Sequence, residues 1–220
     1  MFNLTGYRSM SNTLINWICI SCISSSLTLL WLHYKRKRNK SFTKVLFYDP
    51  TIKSTDCNCF RSFNIDCLSP NCSSFKTKEI IFCLQRARKS MDICVFSISN
   101  KPIANEIVNA HKRGILVRII VCNCILVISN EIKMFMRAGI TLKYQENYTN
   151  SYMHHKFAII DSTWLIHGSM NWTHQATHDN WESIMITDLQ SLIVPFSIGF
   201  EKTWQKTILI PPKIRDLTKN

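Results

Sequence analysis

Along the chain, the apolar and polar positions fall into three regimes. From Ser9 to Tyr34 there is no Lys, Arg, Asp or Glu, and thirteen apolar residues lie within 14–32. A bilayer-spanning helix needs about 20 mainly apolar residues, so residues 1–34 are expected to be a membrane anchor, weakened by Asn16 and the Ser24-Ser25-Ser26 run. Residues 35–44 are basic and polar and are expected to be a linker. From Val45 onward, short apolar runs alternate with helical patterns. Strands are expected at 45–48, 93–98, 115–121, 140–144, 157–160 and 164–167, and helices at 76–90, 102–113 and 131–137. Gly114 and Gly139 each close a helix directly before an apolar strand, as a left-handed helix end requires. Such alternation predicts an α/β domain over 45–210, built on a covered and largely parallel sheet. Residues 211–220 are expected to be a tail.

Charge changes this picture at the N-terminus. The 220 residues carry 27 Lys plus Arg against 14 Asp plus Glu, a net +13. Seven of the bases and none of the acids precede Asp49, leaving 20 bases against 14 acids, or +6, for the rest. Lys35-Arg36-Lys37-Arg38 follows the apolar span and only Arg8 precedes it. A signal peptide has the opposite order, and the positive-inside rule places the body in the cytosol. In that reducing compartment the ten cysteines are expected to be thiols or metal ligands rather than disulfides. Cys83 and Cys94 fall on apolar faces and are expected in the core.

The densest chemistry is the string His154-x-Lys156-x4-Asp161-x6-Gly168-Ser169-x-Asn171, followed by Asn180-Trp181-Glu182. On a strand His154 and Lys156 would share one face and His155 the other. Gly168 would allow close backbone approach to a ligand, and Ser169 and Asn171 can donate to oxyanions. The string resembles the HKD motif of the phospholipase D superfamily. Tyr152-Met153-His154-His155-Lys156-Phe157, Gly168-Ser169-Met170-Asn171-Trp172-Thr173 and His111-Lys112-Arg113-Gly114 are similar to its mitochondrial single-motif branch, the Zucchini or mitochondrial cardiolipin hydrolase branch, over about residues 45–204.

The resemblance implies a phospholipase D-like α/β fold, a mixed, largely parallel sheet flanked by helices, with an N-terminal transmembrane helix and a small zinc-finger-like insertion. It implies that His154 attacks phosphorus and forms a phosphohistidine. Lys156, Ser169 and Asn171 would hold the nonbridging oxygens. Glu182 would accept from the second ring nitrogen of His154, and Asp161 would support the site. No catalytic metal is expected. One motif supplies one His, whereas attack and leaving-group protonation call for two, so a two-fold homodimer sharing the site is expected. The family's small Cys/His module lies where Cys57, Cys59, Cys67 and Cys72 stand here, and four thiolates suit structural zinc. The spacing C-x-C-x7-C-x4-C, with no His among these residues, departs from the family pattern. Cys122-Asn123-Cys124 stands where relatives usually carry Asp.

The branch acts at the outer mitochondrial membrane. Two substrates compete: single-stranded RNA, cut in piRNA maturation, and cardiolipin, hydrolysed to phosphatidic acid. Lys112, Arg113, Arg118 and Lys143 suit an RNA backbone, and no apolar run outside the anchor marks an acyl pocket. RNA is therefore the expected substrate and cardiolipin the alternative. An inactive tethered scaffold is a third reading, which the intact motif opposes.

Overall fold

The computed structural model describes residues 15–17, 20, 23–31, 41–52, 69–122, 129–145 and 151–210. The chain separates into two units, Met1–Ser41 and Phe42–Asn220. In the first, residues 15–17, 20 and 23–31 are helical. Among the described residues no helix is long and apolar enough to cross a membrane. Residues 18–19, 21–22 and 32–40, on which the expected span and linker also depend, lie outside the described residues, as do Cys57, Cys59, Cys67 and the 211–220 tail.

The second unit holds eight strands: β1 (Thr43–Tyr48), β2 (Ser90–Val95), β3 (Leu116–Val121), β4 (Thr141–Tyr144), β5 (Lys156–Ile160), β6 (Trp164–Gly168), β7 (Glu182–Thr187) and β8 (Ile208–Leu209). Its helices are α1 (Ser73–Gln85), α2 (Lys101–Lys112), α3 (Asn130–Arg137), α4 (His174–His178) and α5 (Gln190–Lys206). Asn100 caps α2 by accepting from the N–H of Ile103 at 3.2 Å, with Pro102 in the first turn, where its missing N–H costs nothing. Gly114 and Gly139 adopt φ of +87° and +82°, as expected for left-handed helix ends.

The sheet runs β1-β7-β6-β5-β2-β3-β4-β8. It is mixed, as expected, but not largely parallel. Only β2–β3 and β3–β4 are parallel, and the other neighbours are antiparallel. Helices α2 and α3 supply the crossovers for the parallel pairs. Only residues 161–163 separate β5 from β6, too few for any connection but a hairpin.

The strands are apolar on both faces because both are covered. On one face α1 to α4 bury Ile80, Leu84, Ile103, Ile107 and Phe135 against Ile93, Val95, Ile119 and Ala158. On the other, Ile193 and Phe200 of α5 cover Phe157, Ile159 and Leu165. Cys83 and Cys94 lie in these cores, and burial pushes both thiols up to about 12. Arg118 ties α5 to β2 by bonding Asp92 at 2.7 Å and Glu201 at 2.5 Å, with its guanidinium over Phe200 and Trp204.

Candidate active site

Lys156 opens β5 and is buried to 7% exposure. His154 and His155 precede the strand rather than lying in it, and the carbonyl of His155 accepts from the N–H of Phe96 at 2.8 Å. The extended segment still separates the two histidines. His154 is exposed and packs edge-on against Phe96, with ring centroids 4.9 Å apart. His155 packs on Phe157, a residue of the α5-side core. The ammonium of Lys156 donates to the carbonyl of His154 at 2.8 Å and lies 5.4 Å from the Phe96 ring centre. Burial pulls Lys156 below the usual lysine range, and the Glu182 carboxylate pulls the other way.

Glu182 starts β7 and is read into place by the antiparallel register, Gly168 facing Ile184 on the neighbouring strand. Its carboxylate accepts from the Ser169 hydroxyl and, at 3.1 Å, from the Asn180 amide. The N–H of Ser183 donates to the Ser169 hydroxyl oxygen at 3.1 Å, and the N–H of Ser169 to the Ser183 carbonyl at 3.0 Å. Both carboxylate oxygens of Glu182 thus have partners other than His154. No hydrogen bond joins Glu182 to His154 among the described residues.

Gly168 is required by β7 rather than by a ligand. A Cβ there would overlap the Ser183 carbonyl oxygen and sit 2.9 Å from the Ile184 Cα. Asn171 is held where backbone bonds pin Trp172 to residues 97–100. Its Oδ1 is buried with no hydrogen-bond partner among the described residues.

Asp161 does not join this group. It stands at the opposite end of β5 from Lys156, five residues on, or roughly 16 Å along an extended chain. Its carboxylate accepts the backbone N–H groups of Arg88, Lys89 and Ser90 at 2.8, 2.7 and 2.8 Å. Its φ is +53°. The third motif residue is a clamp on the loop entering β2.

Beside Ser169 and Glu182 opens a groove of about 930 Å³ between β1, the start of α1 and residues 181–183. Apolar walls come from Phe47, Ile52, Phe75 and Trp181, with Lys44 and Lys76 among the polar lining. Trp181, 67% exposed, and Tyr152, 63% exposed, stand beside Glu182 and His154 in the chain. The residues of this groove are scattered over three segments instead of forming one apolar run. Lys76 is 7% exposed, and burial pulls its ammonium down while Cys72 and Asp49 pull it up.

The bases expected to meet an RNA backbone are largely committed elsewhere. Arg113 pairs with Glu106 at 3.0 Å, Arg118 with Asp92 and Glu201, and Lys143 donates to the Trp204 carbonyl at 2.8 Å. Of the four expected zinc ligands only Cys72 is described. It is buried at the N-cap of α1. No cluster of three or more His, Cys, Asp or Glu suited to a metal occurs among the described residues.

Comparison with known proteins places these features in context. Residues 80–204 match the family model described as cardiolipin synthase, PLD-like domain. A mitochondrial cardiolipin hydrolase of Xenopus tropicalis is 34% identical over 185 residues, covering 84% of this chain and 86% of the relative. Proteins of the same name from Danio rerio and Homo sapiens are each 30% identical, covering 90% and 84% of this chain and 91% and 77% of the relatives. Among solved structures, the phospholipase D family member Nuc from Salmonella typhimurium superposes with a TM-score of 0.61 at 19% identity, covering 78% of this chain and 99% of that one. NucT from Helicobacter pylori gives 0.58 at 20%, covering 78% and 100%. At these identities the two structures bear on the fold alone.

Proposed function

Because the chain belongs to the phospholipase D superfamily and is a phosphodiesterase of its PLD-like class, we propose that it hydrolyses cardiolipin to phosphatidic acid through a phosphohistidine on His154. The observation carrying the substrate is the groove, whose apolar walls reach Ser169 and Glu182. Its relatives bear the name mitochondrial cardiolipin hydrolase.

The steps follow from the site. A ring nitrogen of His154, exposed to solvent, attacks phosphorus. The N–P bond forms and the P–O bond to the leaving alcohol breaks. Lys156, held between a carbonyl and a ring, and the Ser169 and Asn171 side chains take the charge gathering on the nonbridging oxygens. Glu182 orients Ser169 directly. It fixes the tautomer of His154 only if the ring turns toward it on binding substrate. The leaving oxygen needs a proton, and one chain brings one motif histidine. A second copy related by a two-fold axis would supply its own His154 as acid. Water then attacks the phosphohistidine, releasing phosphatidic acid and restoring the imidazole. No step calls for a divalent cation.

Residues 1–34 would anchor the body to the outer mitochondrial membrane, facing the cytosol, close to a lipid substrate. Cys57, Cys59, Cys67 and Cys72 would hold a structural zinc, a role their four thiols suit.

A second reading, endonucleolytic cutting of single-stranded RNA in piRNA maturation, is favoured by the exposed Trp181 and Tyr152, which could stack bases. The test offers purified full-length protein labelled cardiolipin in vesicles and labelled single-stranded RNA, side by side. Release of phosphatidic acid supports the proposal. RNA cleavage with inert cardiolipin overturns it in favour of the second reading.

A further inference from the structure

Lys76 lies in the first turn of α1, which opens without a side-chain cap and without an acidic residue. The free N–H groups and dipole of that turn favour an anion. Lys76 is itself more than nine-tenths buried, yet it lines the groove. Its ammonium lies 5.6 Å from the centre of the Tyr48 ring, and no hydrogen bond or ion pair is formed to it by any described residue. A buried charge without an acceptor is costly.

Asp49 acts on Lys76 through space but forms no hydrogen bond or ion pair with it among the described residues, and its Oδ1 accepts from the Thr51 N–H at 2.8 Å and hydroxyl at 2.6 Å. Lys44, the other cation lining the groove, pairs with Glu79 at 2.8 Å. Tyr48 faces Glu182 across the β1–β7 register, and adjacent strands lie about 5 Å apart. Lys76 thus lines the same groove as Ser169 and the Glu182 carboxylate that holds it. A substrate with one phosphate would engage Lys156 and Ser169 and leave Lys76 empty. A lipid with two phosphodiesters joined by a glycerol would reach both.

We propose that Lys76 and the first turn of α1 form a second phosphate site, which binds the non-reacting phosphodiester of cardiolipin and selects it over lipids with one phosphate. This rests on the cardiolipin reading above. The acyl chains beside that second phosphate would lie against Phe47, Ile52 and Phe75.

The test compares full-length wild type with Lys76→Met and Lys76→Gln on vesicles of phosphatidylcholine carrying either cardiolipin or phosphatidylglycerol. Losing one charge-assisted phosphate contact should lower kcat/KM on cardiolipin about ten-fold or more. Hydrolysis of phosphatidylglycerol should stay within about two-fold. In a His154→Asn background, Lys76→Met should also abolish the preference for cardiolipin vesicles in a flotation assay, a readout that needs no turnover. Equal losses on both lipids, or no loss on cardiolipin, would overturn the second site while leaving cardiolipin hydrolysis intact. Wild-type protein inert on both lipids would overturn the cardiolipin reading and this site with it. Loss confined to RNA cleavage would assign Lys76 to a nucleic-acid strand and also overturn the proposal.

Discussion

Replacing Asp161 by Ala should damage stability and spare chemistry. The carboxylate accepts three backbone N–H groups at 2.7–2.8 Å, which fixes where the chain leaves α1 and enters β2. A hydrogen bond to a charged group contributes about 1.5–3 kcal/mol net. The loop at 88–89 is exposed, so water recovers part of that for each donor. The φ of +53° strains any non-glycine residue by about 1 kcal/mol. Ala keeps its Cβ and that strain, so a net cost of about 3 kcal/mol is expected. For a domain of this size that is a fall in Tm of roughly 6–12 °C. Asp161→Gly should lose less, because the strain goes with the carboxylate. The assay is a thermal melt paired with the specific rate at 25 °C per folded molecule. The rate should stay within about two-fold of wild type, since the residue lies at the far end of β5. A Tm unchanged with a rate lowered by orders of magnitude would refute the clamp and return Asp161 to the reaction.

Other expectations follow from the same contacts. Gly168→Ala should separate β6 from β7 and cost about 3 kcal/mol or more, visible as loss of soluble folded protein together with activity; a normal melt would show that β7 can move freely. Burial lowers the pKa of His167 from 6.5, and of His155 and His178 likewise. Their folded state disfavours the proton, so stability is full above about pH 6.5 and is lost as pH falls below it, levelling off below the folded pKa values. His167→Phe should flatten part of that acid slope in Tm-versus-pH curves, and an unchanged slope would show that His167 carries none of it. Brief chelation should leave the rate intact, while prolonged zinc removal should lower Tm through the Cys57–Cys72 segment; immediate loss restored by magnesium would contradict a metal-free mechanism.

Much of the helical framework was legible because its signals are local. Pro102 and Gly114 bracket α2 to within one residue at each end, and Gly139 ends α3 as expected. Other boundaries moved where a distant residue decides. The run at 93–98 reads as a strand, yet β2 is Ser90–Val95, because Asp161 captures the N–H groups of 88–90 and sets the register from outside the segment. Ile98 keeps only a bridge to Trp172. The share of parallel neighbours was overestimated because a fully apolar strand reports two covered faces and nothing about the sense of its neighbours. Antiparallel β5 and β6 are covered by α5, a helix that carries Pro195 and Gly199 and shows no clean period.

The site divides in the same way. The spacing of His154, Lys156, Ser169, Asn171 and Glu182 was visible in one dimension. The commitments that decide their roles were not: Glu182 bonded to Ser169 and Asn180, and Asp161 to a loop seventy residues earlier. The groove is less legible still, since it joins residues from β1, α1 and the start of β7.

The central claim is a covalent intermediate on His154. Radiolabelled cardiolipin should be mixed with full-length protein, quenched in alkali within a turnover and digested. The label should be found on the peptide carrying His154, acid-labile and alkali-stable, and should be absent from His154→Asn, which should release no product. Turnover with no label on the protein, or normal turnover by His154→Asn, would contradict the account.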